Sequence, residues 1–282
     1  MNDLILVCLI IFIIVRVIGL AVSLDFYYDT RKNKFKIFSI GWVLWILAAF
    51  MPIYSTLVKA PRLVELLLVL NILFASLGAI FYGWGIFKYF LEVPVKVMVA
   101  LIIISIAVPL LLFVTISYTA AIIFSVIIFN SLFFSAYIIP PFKKKNFTKF
   151  IGKSIRWYFA PIFIGFIYIG AAVISYSQGY SYGLYQSDDA MLIVITYVPG
   201  IVTTLLLIIL LVHLEYSISN REKFDLKDKY SHELGNIMQA IFTTFDLIKT
   251  KREPKKEVAE LEALLETKLN DASNLIKEIR KL

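Results

Sequence analysis

AMLIVITYVPGIVTTLLLIILLVHL, residues 190–214, runs straight into EYSISNREKFDLKDKYSHELGNIMQAI, residues 215–241. The reading of this junction decides the fold. The first half contains no Asp, Glu, Lys or Arg and is long enough to cross ~30 Å of hydrocarbon as a helix. The second half is charged and rich in helix-favouring residues. Residues 212–252 hold no proline and one glycine, Gly235, so the membrane helix is expected to continue into water without a loop. Composition agrees: 60% of the 282 residues are hydrophobic and the mean hydropathy is +0.83, far too apolar for a soluble domain.

Upstream of the junction, six further apolar runs of spanning length occur at about 3–24, 37–57, 63–87, 97–116, 119–140 and 157–176. With 190–214 they predict an all-α fold of seven transmembrane helices. Continuous runs, rather than short alternating ones, argue against a β-barrel. The first run lacks a basic start and a small-residue cleavage site, so it reads as a retained span and not a signal peptide. Basic residues occupy alternate loops: Arg31, Lys32, Lys34 and Lys36 after the first span, Lys88 and Lys96 after the third, and a cluster from Lys143 to Arg156 after the fifth. The positive-inside bias then places the N-terminus outside and the C-terminus in the cytoplasm of a cell with a multi-pass plasma-membrane protein. Residues 1–216 carry 15 Lys/Arg against 8 Asp/Glu, whereas 217–282 carry 13 against 12. The net charge of +8 therefore belongs to loops facing lipid headgroups, and no nucleic-acid surface is expected. The lone Cys8 allows no internal disulfide.

Arg16 is the one basic residue well inside a span. It either snorkels about 13 Å to the headgroups or makes an internal polar contact, with Asn71 or Asn130, near a ligand cavity. Together with Glu65, which opens the third span, these residues form the candidate ligand-binding set. Pro52, Pro109, Pro161 and Pro199 fall inside spans, and Pro199-Gly200 is the expected hinge because the seventh span leads into the charged helix. The tyrosine-rich stretch from Ser177 to Asp189 is expected to form an interfacial belt or a lid. A retinal protein is set aside, since residues 190–214 offer no lysine for a Schiff base. A zinc-protease motif is set aside because the second histidine is missing, and no metal site is expected.

Downstream, Tyr230, Leu234, Ile237, Ile241, Phe245 and Ile248 recur at steps of three and four and form an apolar stripe. His232 and Asn236, four apart, share a face that the stripe avoids, so the imidazole is expected in solvent. His232-Glu233-x-x-Asn236 followed by an apolar helix resembles the phosphoacceptor box of sensor histidine kinases, within their dimerisation and histidine-phosphotransfer domain. Ile237-Met238 stands where that family carries Pro-Leu. The resemblance implies His232 as phosphoacceptor and Glu233 as base. It implies Asn236 as the residue that positions water for dephosphorylating a partner response regulator. Asp228, Lys229 and Lys227 read as a solvated face.

A turn is expected at Lys249–Lys256, with Pro254 at the first position of a second helix. Val258, Leu265, Ala272 and Ile279 fall at heptad a positions, and Leu261, Leu275 and Leu282 at d, interrupted by Lys268. Leu264, Leu269 and Ile276 widen this stripe, and so wide a face predicts two hairpins associating as a four-helix bundle. The expected division is a sensor domain over 1–214 and a phosphotransfer hairpin over 215–282, dimeric through the hairpin. The ATP-binding motifs of the family do not occur in the chain, so no cofactor is expected on it. ATP and Mg2+ are expected only with a catalytic domain supplied in trans or lost by truncation. The expected partners are a second copy, a response-regulator receiver domain, that ATP-binding kinase domain and membrane lipid. The competing reading is a kinase-lacking membrane scaffold, or a transporter, with a coiled-coil dimerisation tail.

Overall fold

A computed structural model of the chain describes residues 3–145, 147–177, 190–250 and 255–279. Those residues form nine α-helices and one 3-10 turn, with no strand among them. In chain order they are α1 (Asp3–Thr30), α2 (Asn33–Ser55), α3 (Pro61–Phe90), α4 (Val95–Thr115) and α5 (Tyr118–Lys143). The short α6 (Phe147–Ile151) and the 3-10 turn Gly152–Ser154 precede α7 (Ile155–Ser177), α8 (Ala190–Thr250) and α9 (Lys255–Ile279). The chain divides into two compact units, Met1–Leu214 and Glu215–Leu282, at the point where apolar sequence gives way to charge.

Helices α1 to α5 and the Ala190–Ser219 part of α8 are six helices long and apolar enough to cross a membrane, which marks the chain as a membrane protein. The expected span at 157–176 coincides with α7, whose described apolar stretch is the shorter Ile155–Ile167. Pro52, Pro109, Pro161 and Pro199 lie within α2, α4, α7 and α8, which stay helical through them. The turn between α4 and α5 is as tight as the sequence suggests, with Ser117 Oγ accepting from the Ala120 N–H at 3.1 Å as an N-cap.

Two stretches depart from the sequence reading. α1 runs to Thr30 rather than ending near residue 24, because its last turn carries rings that bind the following basic loop. The Arg31 guanidinium lies 5.5 Å from the Tyr28 ring, and the Lys36 ammonium lies 4.8 Å from that of Tyr27. The helix stops at Arg31, which takes the left-handed conformation (φ 56°) while its N–H still donates to the Tyr27 carbonyl at 2.8 Å. The second departure is Phe147–Ser154, part of the expected basic loop, which is helical. Phe147 is buried, its ring centroid 5.2 Å from Phe90 and 5.0 Å from Tyr158.

The membrane unit is organised around α3, which packs against α2, α4 and α5. Trp42 and Trp45 of α2 meet Tyr82 of α3 with ring centroids 5.6 and 5.3 Å away. α1 closes on this cluster at Gly19, where a Cβ would stand 2.6 Å from Trp42 Cε2. Only glycine leaves room for that ring. The Tyr82 hydroxyl donates to the Leu207 carbonyl of α8 at 2.8 Å, satisfying a fully buried phenol. Outward-facing positions such as Ile14, Ile103, Leu111, Val114 and Phe163 are large, apolar and exposed, as a hydrocarbon solvent requires.

In the second unit, Ala272 and Leu275 of α9 and Thr244 of α8 are buried, with Leu234, Ile237, Ile241, Leu261 and Leu265 partly so. The predicted stripe is rotated at its end. Phe245 is 54% exposed and Thr244 takes the inner position, its hydroxyl donating to the Ala240 carbonyl at 2.8 Å. The side chains of Ile248, Val258 and Ile279 lie outside the described residues, as do Leu282, the turn 251–254 with Pro254, and 178–189.

Candidate functional site

His232 is fixed on the outside of α8 by helical phase. Tyr230, Leu234, Ile237 and Ile241 occupy the half-buried side, and at about 100° per residue His232 and Asn236 fall away from it. The His232 side chain is 83% exposed, and Asn236 is exposed beside it. Glu233 is half-buried, and its carboxylate lies 3.7 Å from the Lys229 ammonium one turn back. The carboxylate beside the imidazole is that of Asp228, with Oδ2 4.0 Å from His232 Nε2. Asp228 is thus both solvated, as expected, and next to the ring, which the i,i+4 spacing could have indicated. Exposed pairs of this kind hold a side chain only weakly, so the ring stays open to a reactant. An imidazole so placed can act as a nucleophile toward phosphorus, with a neighbouring carboxylate taking or holding its other N–H.

A second apolar strip, separate from the inner one, remains uncovered on this unit. Met238, Phe242 and Phe245 are 39%, 62% and 54% exposed and recur at steps of four and three. Leu264, Leu269 and Ile276 of α9 are likewise exposed. His232 lies roughly 120° around the helix from Met238, so covering the strip leaves the histidine accessible.

The membrane unit contains a cavity of about 130 Å³ bounded by α1, α2, α3, α5, α7 and α8. Three of the four residues singled out from the sequence, Arg16, Asn71 and Asn130, line it; Glu65 does not. Arg16 turns inward rather than along the helix. Nη1 donates to the Trp45 carbonyl, and the guanidinium sits 4.6 Å from the Phe12 ring centroid. Asn71 Nδ2 donates to the Ala48 carbonyl at 2.6 Å, and Asn130 Nδ2 to the Val126 carbonyl at 2.9 Å. Both amides are thereby anchored to backbone at the cavity wall.

The remaining polar wall comes from α8 and was not anticipated. Thr196, Gly200, Thr203 and Leu207 follow one another at steps of four, three and four and line the cavity together. Gly200 brings α8 onto α1, since a Cβ there would meet Phe12 Cζ at 2.6 Å. Pro199, its partner in the expected hinge, is half-buried and lies off the cavity. Thr204 back-bonds to the Gly200 carbonyl at 2.9 Å. The hydroxyls of Thr196 and Thr203 are buried with no hydrogen-bond partner among the described residues. Among the described residues no group of His, Cys, Asp and Glu is placed to hold a metal ion.

No protein-family model, curated protein or solved structure matches this chain.

Proposed function

We propose that the chain is the membrane sensor of a two-component signalling system, with seven spans, its N-terminus outside, and His232 as a cytoplasmic phosphoacceptor. The observation that carries this reading is the imidazole itself: 83% exposed, on a continuous helix, one residue before Glu233 and one turn before Asn236. In the forward step a neutral ring nitrogen attacks the γ-phosphorus of ATP, a P–N bond forms, the bond to the β-phosphate oxygen breaks, and ADP leaves. The proton on the other ring nitrogen is held or taken by Glu233. The phosphoryl group then passes to an aspartate of a response-regulator receiver, and in the phosphatase reaction Asn236 orients a water that hydrolyses that aspartyl phosphate to aspartate and inorganic phosphate. ATP and Mg2+ are handled by an ATP-binding domain that acts on the hairpin, because phosphoryl transfer needs charge stabilisation beyond what an exposed imidazole and its neighbouring carboxylates provide.

Two hairpins pair through the strip Met238, Phe242 and Phe245 and its counterpart on α9, giving a dimeric four-helix bundle. The stimulus reaches His232 through α8, which carries both the Thr196–Leu207 wall and the phosphoacceptor box. Incubation of the purified chain with a histidine-kinase ATP-binding domain and labelled ATP is expected to give an acid-labile, alkali-stable phosphoprotein. His232→Gln is expected to abolish the label. Label that survives His232→Gln, or a chain that takes none from any such domain and whose output is indifferent to His232, overturns the assignment in favour of a dimerisation handle.

A further inference from the structure

We propose that the cavity of the membrane unit binds a small neutral ring compound with hydrogen-bond acceptors at opposite ends, of the cyclic 1,4-diketone or para-quinone kind, held at each end by one threonine of α8. The donors come first. Thr196 is 5% exposed and lines the cavity, and its Oγ1 is buried with no hydrogen-bond partner among the described residues. Thr203 lines the same cavity, and its Oγ1 is likewise buried and unpartnered among them. A threonine in a helix ordinarily donates to the carbonyl four residues back, as Thr204, Thr243 and Thr244 do. Two threonines that forgo this bond at the wall of one cavity keep their hydroxyl protons for an acceptor placed inside it.

The charge of the ligand follows from the rest of the wall. None of the described residues lining the cavity is Asp or Glu, so a buried cation would lack the counter-charge it needs. The Arg16 guanidinium is already engaged, by the Trp45 carbonyl and the Phe12 ring, and recognition does not draw on its charge. The Asn130 amide is likewise committed to the Val126 carbonyl. What the wall leaves for a ligand is two neutral donors. These select neutral acceptors such as carbonyl oxygens, which a hydrocarbon surrounding also admits far more readily than an ion.

Spacing sets the shape. At about 1.5 Å per residue Thr203 lies about 10.5 Å along α8 from Thr196, and within about 20° of the same face. Subtracting two O–H···O bonds of about 2.8 Å each leaves roughly 5 Å between the acceptors. That is the separation of two carbonyl oxygens on opposite sides of a six-membered ring. A single carbonyl cannot reach both hydroxyls. Size agrees: about 130 Å³ is close to the roughly 150 Å³ engineered cavity that takes one benzene ring. Phe12, Phe129 and Phe133 line it and give the ring an aromatic wall.

The test is a calorimetric titration of the full chain in nanodiscs of zwitterionic phosphatidylcholine, with the heat of empty nanodiscs subtracted. The probes are 1,4-cyclohexanedione, which neither exchanges electrons nor alkylates Cys8, cyclohexanone with its one acceptor, and the anion 4-oxocyclohexanecarboxylate. The dione is expected to bind saturably and at least about fivefold more tightly than cyclohexanone, the scale of one hydrogen bond to a buried donor. The carboxylate is expected to bind more weakly than the dione. Thr196→Val with Thr203→Val, nearly isosteric, is expected to bring the two ketones to about equal affinity. The comparison of probes on the unaltered chain needs no variant, so it decides even where the double variant fails to fold. Equal affinity of dione and cyclohexanone overturns the proposal, as does a dione preference indifferent to the two valines. So do a carboxylate that binds more tightly than the dione and the lack of any saturable dione signal, which leaves the cavity to water. None of these measurements involves His232, so the phosphotransfer assignment stands or falls separately.

Discussion

Gly235 sits between His232 and Asn236, and nothing around it requires a glycine. A Cβ at this position would meet nothing within 4 Å, and the residue is exposed in mid-helix. Glycine in a helix interior costs about 0.5–1 kcal/mol relative to alanine. Gly235→Ala is therefore expected to stabilise this part of α8 by about that much, read as several-fold slower amide hydrogen exchange around residue 235. Unchanged or faster exchange would mean that the glycine is needed for a conformation other than this helix. The same scale shows what could be read from the sequence alone. The exposure of His232 follows from a 3.6-residue period, and Arg16, Asn71 and Asn130 stand out because polar groups are rare in apolar runs. Thr196 and Thr203 escaped notice because a threonine in a membrane helix usually satisfies itself on its own backbone. Only coordinates distinguish them from Thr204. Their spacing around Gly200 was the available signal.

At the scale of elements, the reading was most secure where one solvent acts on the whole length of a helix. α1 to α5 were legible as runs because hydrocarbon penalises every charge along them. Their ends were less so, since the rings of Tyr27 and Tyr28 and the basic side chains near them extend helix past the apolar core. The charged part of α8 and α9 show a different limit. Their apolar residues exceed what is buried within the chain, so the stripe read from sequence merges an inner face, ending at Thr244, with an outer face, ending at Phe245. Phe242 is the most exposed of the outer set at 62%. If two copies meet there, Phe242→Glu places a charge in a bundle core and is expected to weaken dimerisation by about 2–4 kcal/mol. Subunit mass in detergent or crosslinking should then shift to the monomer, with the helix content kept. A dimer that tolerates the glutamate would locate the pairing face elsewhere.

At the scale of the molecule, the question is how many times the chain crosses. Among the described residues six helices meet the requirement of length and apolarity, and α7 is helical over Ile155–Ser177 with the shorter described apolar stretch Ile155–Ile167. The proposed phosphotransfer depends on this one helix. If α7 spans, the loop after α5 and the charged part of α8 are on one side of the membrane, the side the positive-inside bias assigns to the cytoplasm. If it does not, His232 emerges on the face opposite the basic loops, away from ATP. Cys8 is buried in α1, so single reporters can be placed at the exposed Lys59, Lys145 and Lys227 in a Cys8→Ala background. An impermeant maleimide applied to intact cells is expected to label Lys59→Cys and to leave Lys145→Cys and Lys227→Cys untouched until the membrane is opened. Labelling of position 227 together with position 59, with 145 protected, would leave α7 on one side. It would remove the histidine from the compartment in which a phosphoryl donor is found.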